Sequence, residues 1–101
     1  MAKISIIVLQ YNKSDHTLRC LESLRAFDAD VIVVDNGSEV QHLKNVEFWI
    51  EANEAKSYKL IANSSNLGYS GGNNIGIKYA LEHGAEKILI LNNDVVLEEL
   101  P

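Results

Sequence analysis

Four short apolar runs constrain this chain more than any other feature: Ile4 to Leu9, Val31 to Val34, Tyr58 to Ile61, and Lys87 to Leu91. They are mostly continuous rather than alternating, and rich in Ile and Val. An alternating run suits a strand with one wet face. A continuous run suits a strand buried on both faces, the condition of a parallel sheet covered by helices. Helical patterns fill the gaps. Ser14 or Asp15 is placed to cap a first helix, with Leu18, Leu21 and Leu24 inward and Cys20 and Phe27 alongside. A weaker pattern covers Glu39 to Ala55, with Leu43, Val46, Phe48 and Ile50. A third covers Asn73 to His83, with Ile77, Ala80 and Leu81 inward and Gly84 as its stop. The order βαβαβαβ predicts an α/β fold, a three-layer parallel sheet of about four strands with helices on both faces.

Composition narrows the class. The 101 residues are enough for one small domain and not two. A hydrophobic share of 47% excludes a disordered chain. A net charge of −5, from 9 basic and 14 acidic residues, argues against a nucleic-acid partner, which needs a basic footprint. Cys20 stands alone, so it forms no internal disulfide; inside an apolar helical pattern it reads as a small buried hydrophobe. No His/Asn arrangement accompanies it to make a catalytic thiol. The first apolar run is too short for a membrane span and lacks a signal-peptide cleavage site, so a cytoplasmic protein is expected. The Asn-x-Ser matches at Asn12, Asn36 and Asn63 are then chance matches. His16, His42 and His83 show no metal spacing and read as surface residues. The sequence stops soon after the fourth run, so a truncated domain is a live reading.

In open parallel sheets, ligands bind beyond the carboxyl ends of the strands. Here every strand ends in polar residues: Gln10-Tyr11-Asn12, then Asp35-Asn36-Gly37-Ser38, then the stretch Asn63 to Asn74, then Asn92-Asn93-Asp94. Asp35 reads either as a turn residue or as a carboxylate for the imide N–H of uracil or thymine. Gly68, Gly71 and Gly72 precede the third predicted helix. They either serve packing alone or let a phosphate approach the backbone at the helix N-terminus. The first βα turn has no glycine, which excludes the dinucleotide fingerprint, and no Gly-Lys-Ser/Thr is present to make a P-loop. Asp94 reads either as a solvated turn or as a carboxylate for Mg²⁺ or Mn²⁺, which commonly takes only one or two protein carboxylates and completes its shell with water and phosphate.

With those residues in place, the chain resembles the N-terminal, nucleotide-sugar-binding half of family 2 glycosyltransferases, which have the GT-A fold. The resemblance runs from Ile4 to about Leu97. It rests on Tyr11-Asn12, Val34-Asp35-Asn36-Gly37-Ser38, the stretch Asn66 to Gly76, and Leu91-Asn-Asn-Asp94, in that order. The third motif, in its glycine-and-asparagine version, looks most like the rhamnosyltransferase-like branch. The resemblance implies donor binding by Tyr11, Asn12, Asp35, Asn36, Asn66, Gly68, Gly71, Gly72, Asn74 and Asn93. It implies Asp94 as the metal-binding carboxylate of a D-x-D motif, with a divalent cation as cofactor. Two departures stand out: Asn92 replaces the first Asp of that motif, and Asn73 replaces the Arg often found before the final Asn of the third. In such families the acceptor site and the catalytic base come from the second half of the domain. The expected partners are a nucleoside-diphosphate sugar and a saccharide or lipid-linked saccharide acceptor, at or near the inner face of a membrane. No catalytic residue is assigned within the chain, and residues 1 to 101 are expected to be one subdomain of a longer transferase.

Two other readings remain. A sugar nucleotidyltransferase has a related fold but a Gly-rich, Lys/Arg-containing first loop, which Tyr11-Asn12-Lys13-Ser14 does not match. A receiver-like signalling or nucleotide-sensing module needs an acidic pair near its first strand, which Gln10-Tyr11-Asn12 does not offer. Family resemblance implies strand order 3-2-1-4, with Lys87 to Leu91 at an edge. An edge with no internal charge or Pro recruits another strand, so a homodimer or larger oligomer through it is expected. The alternative is that the tail from Val95 to Pro101 folds back over the edge.

Overall fold

The computed structural model describes residues 3–55 and 57–99. Strands β1 (Ile4–Gln10), β2 (Asp30–Asp35), β3 (Tyr58–Ala62) and β4 (Lys87–Asn92) alternate with helices α1 (Ser14–Leu24), α2 (Val40–Ala52) and α3 (Gly68–Glu82). The strands form one parallel sheet in the order β3-β2-β1-β4. Each predicted strand is present; Gln10, Asp35 and Asn92, the polar residues that follow their apolar runs, join β1, β2 and β4, and Ala62 extends β3. No helix of the described residues is long and apolar enough to cross a membrane.

Alternation of side chains along the strands sets up two cores. Ile6, Val8, Val31 and Val33 face one way and pack with Cys20, Leu21 and Leu24 of α1 and Val46 of α2. Ile7, Ile32 and Val34 face the other way, against Ala80 of α3. The central strands β1 and β2 are therefore covered on both faces, and this is why their sequences read as unbroken apolar runs.

Helix α3 lies close to the sheet because the residues it presents there are small. A Cβ on Gly76 would sit 2.7 Å from Ile7 Cγ2 and 3.1 Å from Val34 Cγ2. A Cβ on Gly72 would sit 2.5 Å from Leu9 Cδ1. The helix ends as predicted, at Gly84 with φ +84. There the Ala85 N–H donates to the Ala80 carbonyl at 3.0 Å and the Gly84 N–H to the Leu81 carbonyl at 3.2 Å, the paired closure that a left-handed glycine permits.

Four expectations are corrected. Helix α3 begins at Gly68, not Asn73, so Gly71 and Gly72 lie inside its first turns. Leu81 is 60% exposed and Phe48 72% exposed, so neither faces the core. Only Val46 of α2 is fully buried, because this helix lies along α1 and toward edge strand β3. Ser14 does not cap its own helix: the N-cap is Lys13, in a left-handed conformation, with no side-chain cap. His42 is half-buried and hydrogen-bonded, not a free surface residue.

The close seat of α3 is testable. Gly76→Val is expected to lower the unfolding free energy by about 1–3 kcal/mol, because Ile7 is β-branched and cannot swing aside. Urea unfolding monitored by circular dichroism reads this directly, and an unchanged midpoint would contradict the packing described.

Candidate functional site

The site is organised around the end of β2. Asp35 is 1% exposed and Asn36 2% exposed, and they point to opposite faces of the sheet. On the α1/α2 side, Asp35 Oδ1 accepts from Gln10 Nε2 at 3.0 Å and Asp35 Oδ2 from the Ser38 N–H at 3.1 Å. Gln10 Nε2 also reaches the His42 carbonyl at 3.4 Å. On the α3 side, Asn36 Nδ2 donates to Asn66 Oδ1 and to the Gly68 carbonyl, each at 3.0 Å. Asn36 Oδ1 accepts from the Leu67 N–H at 2.9 Å and from Asn63 Nδ2 at 3.4 Å. One amide thus fixes the entry to α3, and Asn66 Oδ1 takes the Gly68 N–H at 2.7 Å. Gly37 lets the β3–α3 loop rest on β2: its φ is +83, and a Cβ there would lie 2.7 Å from the Ser65 backbone.

The end of β1 is tied to the same frame. Asn12 and Lys13 both have positive φ, 54° and 51°. The Asn12 N–H donates to Ser38 Oγ at 2.7 Å, and Asn12 Oδ1 accepts from the Glu39 N–H at 2.9 Å. The turn after β4 is anchored to α1, where Asn93 Nδ2 donates to Thr17 Oγ1 at 3.1 Å and lies 3.5 Å from the Lys13 carbonyl. Asp94 is exposed on that turn. Its charge, after burial itself, helps push the Cys20 thiol up to about 11, and Cys20 is wholly buried. That thiol is a packing group with no nucleophilic role.

The structure therefore brings all four predicted segments to one end of the sheet and sorts their residues into two kinds. Asp35, Asn36 and Gly72 are buried, and Asn12, Gly71 and Asn93 are half-buried. Their hydrogen bonds and contacts hold the segments together. Tyr11, Asn66, Gly68, Asn74 and Asp94 are exposed, as is Asn92. Sequence reasoning placed Gln10, Ser38 and Asn63 in the strand-end segments without giving them a role, and read His42 as a surface residue with no part in this frame. Asn73 is 3% exposed, and neither polar atom of its side chain has a partner among the described residues. No cluster of three His, Cys, Asp or Glu side chains suited to a metal occurs among the described residues. A groove of about 220 Å³ lies at the opposite end of the strands, between Lys3, Asp30, Lys59, Tyr79 and His83, and shares no residue with the four segments.

The sequence profile described as "Glycosyl transferase family 2" matches residues 5–99. The chain belongs to glycosyl transferase family 2. It is 34% identical over 97 residues to the low-salt glycan biosynthesis hexosyltransferase Agl10 of Haloferax volcanii, covering 95% of this chain and 29% of that protein. It is 31% identical over 94 residues to the dTDP-rhamnosyl transferase RfbF of Shigella flexneri, covering 92% of this chain and 30% of that protein. The chain thus spans about three-tenths of the length of these relatives. Among solved structures, the mannosyltransferase PcManGT of Pyrobaculum calidifontis, in complex with GDP-Man and Mn²⁺, superposes with a TM-score of 0.85 at 20% identity, over 96% of this chain and 29% of that one. That likeness establishes the GT-A fold for this family 2 chain.

Within this hydrogen-bonded frame, Asn36 is the residue whose loss is most informative. Asn36→Ala leaves the Leu67 N–H, Asn66 Oδ1 and the Gly68 carbonyl short of a partner. It is expected to cost about 1–3 kcal/mol of stability. Amide exchange is the sharper readout: the Leu67 N–H should exchange faster in the variant while amides of the central strands keep their protection relative to global stability.

Proposed function

We propose that this chain is the donor-binding part of a sugar transferase. It would bind a nucleoside-diphosphate sugar across the carboxyl ends of its strands, for transfer to a hydroxyl of a saccharide or lipid-linked saccharide. The observation that carries the proposal is the gathering of the exposed groups of four segments on one hydrogen-bonded frame. The first turn of α3 supplies backbone N–H groups at the positive end of a helix, suited to a diphosphate. Tyr11, 53% exposed at the end of β1, offers a ring face. Asp35 is the carboxylate proposed for a pyrimidine base. Its oxygens keep lone pairs after accepting from Gln10 and Ser38, and contact with a base requires the Ser38 turn to move aside.

The residues after β4 suit a hard divalent cation held mainly by its ligand. Asp94 supplies one exposed carboxylate and Asn92 a neutral oxygen, a donor set that Mg²⁺ or Mn²⁺ accepts when phosphate and water complete the shell. Such an ion would neutralise charge on the departing diphosphate. Transfer itself is proposed to need residues outside these 101, in keeping with relatives more than three times as long. The chain alone is therefore proposed to bind donor without turning it over.

Asp94→Ala should weaken binding of uridine or thymidine diphosphate by about one to two decades when Mn²⁺ is present, and little without it. Calorimetric titration with and without Mn²⁺ tests this. An unchanged metal dependence in the variant would remove Asp94 from the site.

The β4 edge is proposed as a self-association surface. Ile90 is 39% exposed there, and Leu97, bonded through its N–H to Ser23 Oγ at 3.0 Å, carries the following segment onto α1. Leu100 and Pro101, the last residues of the tail whose folding back over the edge is the alternative, lie outside the described residues. The purified chain should sediment as a dimer or larger species at micromolar concentration, and Ile90→Lys as a monomer. A monomeric wild type ends this proposal.

A further inference from the structure

We infer that His42 is a positioning residue for the first loop of the site: it caps α1 from a neighbouring helix, and uptake of a proton by its imidazole opens the cap. The consequence for ligand rests on the donor-site reading above, whereas the cap itself does not.

Helix α1 starts at Ser14 without a side-chain cap from its own N-cap residue, Lys13. The orphan donor of a helix start must find an acceptor elsewhere. Here the Ser14 N–H donates to His42 Nδ1 at 3.3 Å, and Ser14 Oγ lies 3.0 Å from the same nitrogen. Asn45 Nδ2 donates to Ser14 Oγ at 3.0 Å, which leaves the hydroxyl proton free to point at His42. A backbone N–H can only donate. Nδ1 must therefore hold a lone pair, and the ring proton must be on Nε2.

Through this contact His42 braces a strained segment. Asn12 and Lys13 are consecutive non-glycine residues at φ 54° and 51°. Each left-handed residue costs on the order of 1 kcal/mol or more and persists only where its surroundings hold it. Asn12 is held on one side by Ser38 and the Glu39 N–H. On the other side the chain is held at Ser14 by His42. The His42 carbonyl, through Gln10 Nε2, also connects to Asp35. Tyr11 and Asn12, both assigned to donor binding, thus depend on an α2 side chain that touches neither.

A histidine changes charge near neutrality. Protonated at Nδ1, His42 would present an N–H to the Ser14 N–H, and a positive charge to the positive end of α1. The charged groups around it are Asp35 on β2, reached through Gln10; Lys13 and Asp15 on either side of Ser14; and Glu39, one turn earlier beside α2. None of these groups replaces the lost acceptor at Ser14.

The test uses the ¹⁵N-labelled chain between about pH 5 and 8. Without ligand, nuclear magnetic resonance should find His42 as the Nε2–H tautomer at the upper end. The Ser14 and Asn12 amide resonances should move with the His42 titration. In His42→Asn, whose amide oxygen can accept but does not titrate, both should stay still. The affinity for UDP-glucose or dTDP-rhamnose, whose diphosphates do not titrate in this range, should fall about tenfold or more on acidification of the wild type and stay flat in His42→Asn. An Nδ1–H tautomer, or amides indifferent to His42 protonation, overturns the cap. These readings use the wild type and hold even if the variant fails to fold. An acid loss of affinity that persists in His42→Asn overturns the positioning role. If neither sugar nucleotide binds at any pH while the amides titrate as stated, the cap stands and the donor-site reading falls.

Discussion

The Asn36 amide joins three things that sequence keeps far apart: the end of β2, the loop after β3, and the start of α3. Its neighbour Asp35, turned to the other face by the pleat of the strand, does the same for β1 and the turn into α2. Both side chains are buried, and a buried amide or carboxylate left without partners costs several times what a satisfied one contributes. The segments are therefore under strong pressure to meet in one arrangement. The loops that follow β1, β2 and β3 take their positions from that pair of residues, and the turn after β4 is anchored separately to α1.

Much of this was legible in the residues. Continuous Ile/Val runs gave four parallel strands, although only β1 and β2 are buried on both faces and the edge strands β3 and β4 stay partly exposed; the polar residues that follow them marked the end of the sheet where the candidate site gathers. What was not legible depended on partners far away in sequence. Helix α3 starts at Gly68 because Asn36 takes the N–H of its N-cap residue Leu67 and Asn66 that of Gly68, and glycine propensity alone argues against a helix there. Ser14 reads as an N-cap by type, yet its hydroxyl is turned to His42, 28 residues on. Phe48 and Leu81 look inward by spacing, but neither α2 nor α3 is wrapped on all sides by this small sheet. Residue type marked Asp35, Asn36 and Asn93 as polar groups at the right end of the fold. It could not say that their hydrogen bonds would be spent within the chain.

Membership of glycosyl transferase family 2 and the parallel α/β architecture agree on the kind of fold this chain has. The relatives named are a hexosyltransferase, a rhamnosyl transferase and a mannosyltransferase. The frame residues here are those whose side chains are satisfied by one another, so changes among the exposed ones need not disturb the fold.

The small residues on the sheet-facing side of α3 act as a height gauge. With Gly72, Gly76 and Ala80 against Leu9, Ile7 and Val34, backbone meets side chain with nothing between. Larger residues would lift the whole helix away from the strands, and its N-terminal end would rise with it. The distance between those N–H groups and the end of β4 is therefore set a full turn or more inside the helix, by side chains that are missing. A transferase that needed a bulkier group between phosphate and sheet could obtain the room by enlarging the residue at Gly76 or Ala80, neither of which is assigned to the ligand.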